Sequence, residues 1–182
     1  MSSRRWIALA ALALGCATAS LTPEQRQRAD SASRLVELLR AARTEEVAAS
    51  LHYPPFYTAG ERARDEADVQ RSLDFLLERF GAISRFEALK VNPSTLDLGI
   101  SGGTPQYLAS LGNIQIADIP YAVTCARTGE AVVRVTFMQT SNGWEPWKIS
   151  FGFPASRPDA RAQIGEIARE LAEHMQEREL SL

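Results

Sequence analysis

Two runs of alternating apolar residues flank Ser141-Asn142-Gly143 near the C-terminal end of the chain. Strand side chains alternate between faces, so a period of two lets each run bury one face and wet the other. Trp147, Ile149, Phe151 and Phe153 alternate in this way with Lys148, Ser150 and Gly152. Asn-Gly accepts the positive φ angles that a type I′ turn requires, which makes the segment a hairpin signal. Thr128-Gly129 supplies a looser version before it. Strands over 114–126, 131–140 and 147–153 are therefore expected to form an antiparallel meander.

Within 114–126 the apolar stripe changes phase: Ile114 and Ile116 are even, whereas Ile119, Tyr121, Val123 and Cys125 are odd. One extra residue near Ala117-Asp118 would absorb the change as a β-bulge, and Pro120 has no ladder N–H to lose there.

Upstream the period is helical. Ala32, Leu35, Leu38, Leu39 and Ala42 predict a helix over 30–43. A shorter one over 44–51 should stop before Tyr53, because the residue ahead of Pro54 is pushed out of the helical region. Val69, Leu73, Leu76, Leu77 and Phe80 mark a third, closed by Gly81. A strand is read over 86–91, and 92–112 reads as loop-rich, with Gly99, Gly102, Gly103 and Pro105. At the far end Ser156 reads as the N-cap of a helix over 158–180, whose stripe is Ile164, Ile167, Ala168, Leu171 and Met175.

The N-terminus carries an address. Arg4 and Arg5 precede nine apolar residues, Trp6 to Leu14, and a small Gly15. That is the layout of a secretory signal, and the run is shorter than the roughly 20 residues a membrane span needs. Ala13-Leu14-Gly15-Cys16 resembles the bacterial lipobox, with Ala13 where leucine is commonest. The resemblance implies that 1–15 is a lipoprotein signal peptide and that Cys16 is acylated, palmitate being one such chain. Residues 16–28 then form a flexible tether and 29–182 a single domain. An ordinary signal peptide cut near Ala17-Thr18-Ala19 is the alternative. Ala17, rather than Asp, after the cysteine implies the outer membrane, facing the periplasm, if the source is Gram-negative.

The chain has 182 residues, with 22 acidic against 20 basic, and two of the basic ones lie in the signal segment. A mildly acidic chain of this kind lacks the footprint of nucleic-acid binding. Acylation of Cys16 would leave Cys125 without a disulfide partner, so Cys125 is read as a small buried hydrophobe. His52 and His174 have no zinc-ligand spacing around them, and neither metal nor cofactor is expected.

Helices first, then a bent antiparallel sheet, resembles the nuclear transport factor 2-like superfamily over about 29–153. The signals are the element order, the link His52-Tyr53-Pro54-Pro55-Phe56-Tyr57, and Leu76-Leu77-Glu78-Arg79-Phe80-Gly81 closing the third helix. The resemblance implies an α+β cone, here with an appended C-terminal helix, in a family that holds isomerases, dehydratases and silent binding domains. Asp118 as base and His52 as base or donor are the catalytic candidates, and Tyr53, Tyr57, Tyr121 and Trp147 the pocket candidates. Trp144 and Trp147 form a possible exposed aromatic pair around Glu145-Pro146. Gly99 to Gly103 lacks the lysine and helix of a phosphate loop and is not read as one. The function expected is a membrane-anchored, non-catalytic domain that binds a small apolar ligand or an envelope protein. The alternative is an isomerase- or hydratase-like enzyme using Asp118 or His52 for proton transfer.

Overall fold

The computed structural model describes residues 21–103, 107 and 110–179. The signal segment and Cys16 lie outside them. The chain is α+β: helices α1 (Pro23–Arg40), α2 (Thr44–Ala49) and α3 (Ala59–Phe80) precede strands β1 (Ile83–Ala88) and β2 (Thr95–Ser101). Strands β3 (Ile116–Cys125), β4 (Gly129–Thr140) and β5 (Gly143–Pro154) follow, and helix α4 (Ala160–Glu179) closes the described chain. All strand pairs are antiparallel, in the order β1-β3-β4-β5-β2.

Helix α1 starts at Pro23, so residues 23–28, expected to belong to a tether, are helical. Thr22 and Gln25 form a reciprocal capping box with Pro23 in the first turn, a start signal that needs no apolar stripe. The same device, Thr58 with Glu61, starts α3 well before its first apolar marker, Val69. Gly81 ends α3 with φ at +86°, a conformation a side chain resists.

One face of the sheet carries the core. Phe80, Phe137, Ile149, Phe151 and Phe153 are essentially inaccessible, and the Phe80 ring lies 5.4 Å from Phe151 and 5.1 Å from Phe153. Leu35, Val36 and Leu39 of α1 and Leu73 and Leu76 of α3 complete it. Each such side chain contributes about 1.5–3 kcal/mol on burial. Cys125 is buried in this cluster, and burial pushes its thiol up to about 11. Helix α4 adds Ile164, Ile167 and Leu171, while His174 stacks on Phe75 at 5.3 Å.

The structure departs from expectation in five places. Strand β2, inside the segment read as loop, is an edge strand held by seven consecutive residue pairs to β5, from Thr95 with Pro154 to Ser101 with Lys148. No bulge lies at Ala117-Asp118: pairing of β3 with β4 is unbroken from Ile116 with Met138 to Cys125 with Gly129. The phase change needs no extra residue because Ile116 is exposed on the face opposite the core. A bulge lies instead in β5, where Thr136 faces Lys148 and Phe137 faces Pro146, leaving Trp147 unpaired. The hairpin joining β4 and β5 is present, but only Gly143 has positive φ, at +108°, and Ser141 and Asn142 do not. A type I′ turn is thereby excluded: Thr140 pairs with Gly143, and the two loop residues between them turn with negative φ. Finally, Ser156 does not cap α4; Asp159 stands before Ala160 and accepts from Gln163 Nε2 at 2.6 Å and Arg157 Nε at 2.7 Å.

Candidate functional site

The bulge at Trp147 builds the site. An extra residue reverses which face a side chain meets, so Trp147 leaves the Ile149-Phe151-Phe153 stripe. It joins Met138 and Tyr107 in a second, smaller cluster, with Ile114 packed against it. Trp144 packs on the main core instead, under Arg28, whose guanidinium carbon is 4.2 Å from the ring centroid. The two tryptophans therefore do not form an exposed pair.

Three backbone contacts pin the end of α2 to this bulge. His52 N–H donates to the Pro146 carbonyl at 2.7 Å, and Gly102 N–H donates to the Trp147 carbonyl at 3.1 Å. A Cβ on Gly102 would sit 2.3 Å from the His52 carbonyl oxygen, so only glycine permits that approach. The glycine-rich stretch serves packing.

His52 is consequently fixed between two polar partners. Its Nδ1 lies 2.7 Å from Glu145 Oε2, a buried atom with no other partner among the described residues, and its Nε2 lies 3.1 Å from the Tyr107 hydroxyl. A carboxylate only accepts, so Nδ1 carries a proton toward Glu145, and Nε2 of the neutral ring accepts from the phenol. The Tyr107 ring also stacks with His52 at 6.1 Å and lies 5.7 Å from the Phe56 ring at an interplanar angle of 71°. Burial, and secondarily the Glu145 charge, raise the Tyr107 pKa, so the group is a phenol and not a phenolate at neutral pH.

This carboxylate–imidazole–phenol chain opens on a cleft of about 530 Å³ at the turn end of β4 and β5. Pro55, Leu111, Ile114 and Met138 form its apolar lining, and Asn113, Gln115, Gln139 and Asn142 bring side-chain amides. The size lies within the range of roughly 300–1,000 Å³ typical of small-molecule sites.

Of the catalytic and pocket candidates read from sequence, His52 alone lines this cleft, and Trp147 packs behind it through Met138 and Tyr107. Tyr53 is core: its hydroxyl donates to the Ala48 carbonyl at 3.0 Å, and burial, with Glu66 and Asp65, raises its pKa. Tyr121 is core as well, its hydroxyl 3.5 Å from the Ala29 carbonyl, and burial followed by Asp30 pushes its pKa up to about 12. Tyr57 packs against the core cluster and bonds Asp65, which after desolvation is the next cause of its raised pKa. None of these tyrosines reaches the cleft.

Asp118 lies on the face opposite the core, where it accepts from Thr136 at 2.7 Å and stands 4.0 Å from Arg134. Arg134 is itself bound to Asp97 at 2.6 Å and to Thr95 at 2.7 Å. The carboxylate belongs to that polar cross-strand network on the face away from the core. Among the described residues no group of three His, Cys, Asp or Glu side chains is arranged to hold a metal.

Sequence reading missed two members of the chain. Tyr107 sat in the stretch read as loop, and Glu145 was noted only beside a kink. Glu145-Pro146-Trp147 carried the available signal: a proline inside a strand pattern marks a bulge, and a bulge re-aims side chains.

No protein-family model matches the sequence, and no curated protein matches it. A search of solved structures finds a chain from Campylobacter jejuni described as an NTF2-like transpeptidase. The match has a TM-score of 0.41 and 12% identity, and covers 65% of this chain and 95% of that one.

Proposed function

We propose that this chain is a cell-envelope lipoprotein, anchored through an acylated Cys16 and facing the periplasm. Its nuclear transport factor 2-like domain binds a small ligand in the His52 cleft without transforming it. The lipobox-like Ala13-Leu14-Gly15-Cys16 supports the anchor. The observation that carries the binding reading is the contrast in filling: large side chains occupy the helix-covered face of the sheet, whereas the cleft at His52 is open. The described lining offers no carboxylate or amine to pair with His52 as a second acid–base group.

Labelling with an alkyne fatty acid tests the anchor. Wild-type protein should be labelled and sediment with membranes, and Cys16→Ser protein should do neither; a labelled, membrane-bound Cys16→Ser protein refutes it. A titration of the soluble domain with small neutral fragments tests the site, with perturbations expected at His52 and Tyr107.

One observation favours a second reading. The Glu145 carboxylate beside Nδ1 would stabilise an imidazolium formed when Nε2 takes a proton, as an isomerase- or hydratase-like step at His52 requires. Turnover of a carbonyl compound by wild-type protein and its loss in His52→Gln would establish this. Binding without solvent-proton exchange into the ligand would reject it.

A further inference from the structure

The cleft at His52 is defined by its chemistry as much as by its shape. Among its described lining residues no side chain carries a fixed charge, and His52 and Tyr107 are the titratable groups. Four side-chain amides, of Asn113, Gln115, Gln139 and Asn142, lie along it, joined by the Ser141 hydroxyl. None of these amides spends its side-chain donor or acceptor on another described residue. Pro55, Leu111, Ile114 and Met138 give carbon surface, and Phe56, 69% exposed, stands edge-on to the Tyr107 ring.

Three ligand classes can be weighed against that lining. A wholly apolar body would strip water from the amides and leave donors and acceptors unmatched, which is unfavourable for each group stranded. An anion would meet no arginine or lysine, and a cation no carboxylate on the lining, so a charged ligand would be desolvated without a counter-charge. A neutral ligand with many hydroxyls fits both halves. A primary amide presents a carbonyl acceptor and an N–H donor from one plane, which suits neighbouring hydroxyls that each donate and accept. The C–H faces of a sugar ring are apolar and suit the face of an aromatic ring such as the exposed Phe56, and the Ile114-Met138 surface.

We propose that the cleft binds a neutral saccharide, with the amides reading its hydroxyls and the Phe56-Tyr107 corner taking a ring face. The proposal rests on the reading that this cleft is the ligand site. Glu145 and His52 then act as positioning residues: the carboxylate holds the imidazole proton on Nδ1, and Nε2 orients the Tyr107 hydroxyl at the cleft wall.

The test is calorimetric titration of the full domain with chitotriose and cellotriose, set beside lauric acid and N-acetyl-trialanine methylamide. Amide NMR in the same samples locates any binding. The expected result is binding of at least one trisaccharide, with side-chain NH₂ shifts at Asn113, Gln115, Gln139 and Asn142. Binding should weaken at least about tenfold in Gln139→Ala and in Asn142→Ala, both exposed positions whose loss leaves the fold intact. Trisaccharide affinity unchanged in both variants overturns the proposal. Laurate or the peptide binding at the cleft while both trisaccharides fail overturns the saccharide assignment and leaves the site reading standing. No probe binding at the cleft overturns both.

Discussion

The two faces of the sheet do different work. The helix-covered face holds Phe80, Phe137, Ile149, Phe151 and Phe153, all buried to within a few per cent, and its tyrosines spend their hydroxyls on backbone carbonyls. At the turn end of β4 and β5, Tyr107, Met138 and Trp147 make a smaller cluster bordering an open cleft. Polar atoms there remain poorly served: among the described residues Trp147 Nε1 has no partner, and Glu145 Oε2 has only His52. The resemblance noted in the sequence directs attention to the helix-covered face, yet that face is filled by large side chains. Close packing and ligand access exclude one another on the same surface, so the site lies where a bulge has re-aimed the chain.

Substitutions on the two sides should therefore separate stability from the cleft. Phe151→Ala should have the largest effect, about 3–5 kcal/mol of lost stability as seen for large-to-small core changes. Guanidinium denaturation reads it, and cleft resonances at subdenaturing concentration should stay in place. Gly102→Ala should follow at about 1–3 kcal/mol, because the new Cβ forces the His52 carbonyl to move. Unlike Phe151→Ala, it should also displace the His52 and Tyr107 resonances.

Tyr107→Phe removes one half-sheltered hydrogen bond, worth about 0.5–1.5 kcal/mol. Thermal unfolding should register that small loss, and Asp118→Asn should leave the His52 ring signals untouched. Glu145→Gln should change stability least and tautomer most. An amide can donate to Nδ1, so the proton is free to move to Nε2, and the ¹⁵N shifts of the two ring nitrogens should exchange character. Unchanged ring shifts would break the positioning role given to Glu145.

The core face also has a pH signature. Tyr121 and Cys125 have folded-state pKa values raised by burial, to about 12 and about 11. Each neutral group thus contributes stability in full below its unfolded value and loses it as pH climbs toward the folded one. Denaturation midpoints should fall from about pH 9 for the thiol and about pH 10 for the phenol. Tyr121→Phe should make the upper part of that decline shallower.

Much of the scaffold was legible in the sequence, since periods of 3.6 and 2 report burial directly. Leu35, Leu39, Leu73 and Leu76 marked helices, and Phe151 and Phe153 marked a strand. The capping boxes at Thr22 and Thr58 were legible as well, but they lengthen helices into polar sequence that periodicity alone discounts. Strand β2 escaped because Thr95-Leu96-Asp97-Leu98-Gly99 pairs at an edge, where its side chains are only half buried. The site was hardest to see. His52 was a candidate on residue type, but its partners come from 55 residues away and from beyond the hairpin, and only tertiary pairing brings them together. The bulge was foreseen in kind but placed in β3, because an exposed Ile116 imitates the phase change that Trp147 makes in β5.

The most direct test of the central claim is a methyl NMR map of the domain titrated with a mixture of small neutral alcohols, amides and aromatic compounds. The account predicts saturable shifts at Leu111, Ile114 and Met138, with Val133, Val135 and Ile149 unmoved. Shifts confined to Val133, Val135 and Ile149 would place the ligand in the helix-covered core and contradict it.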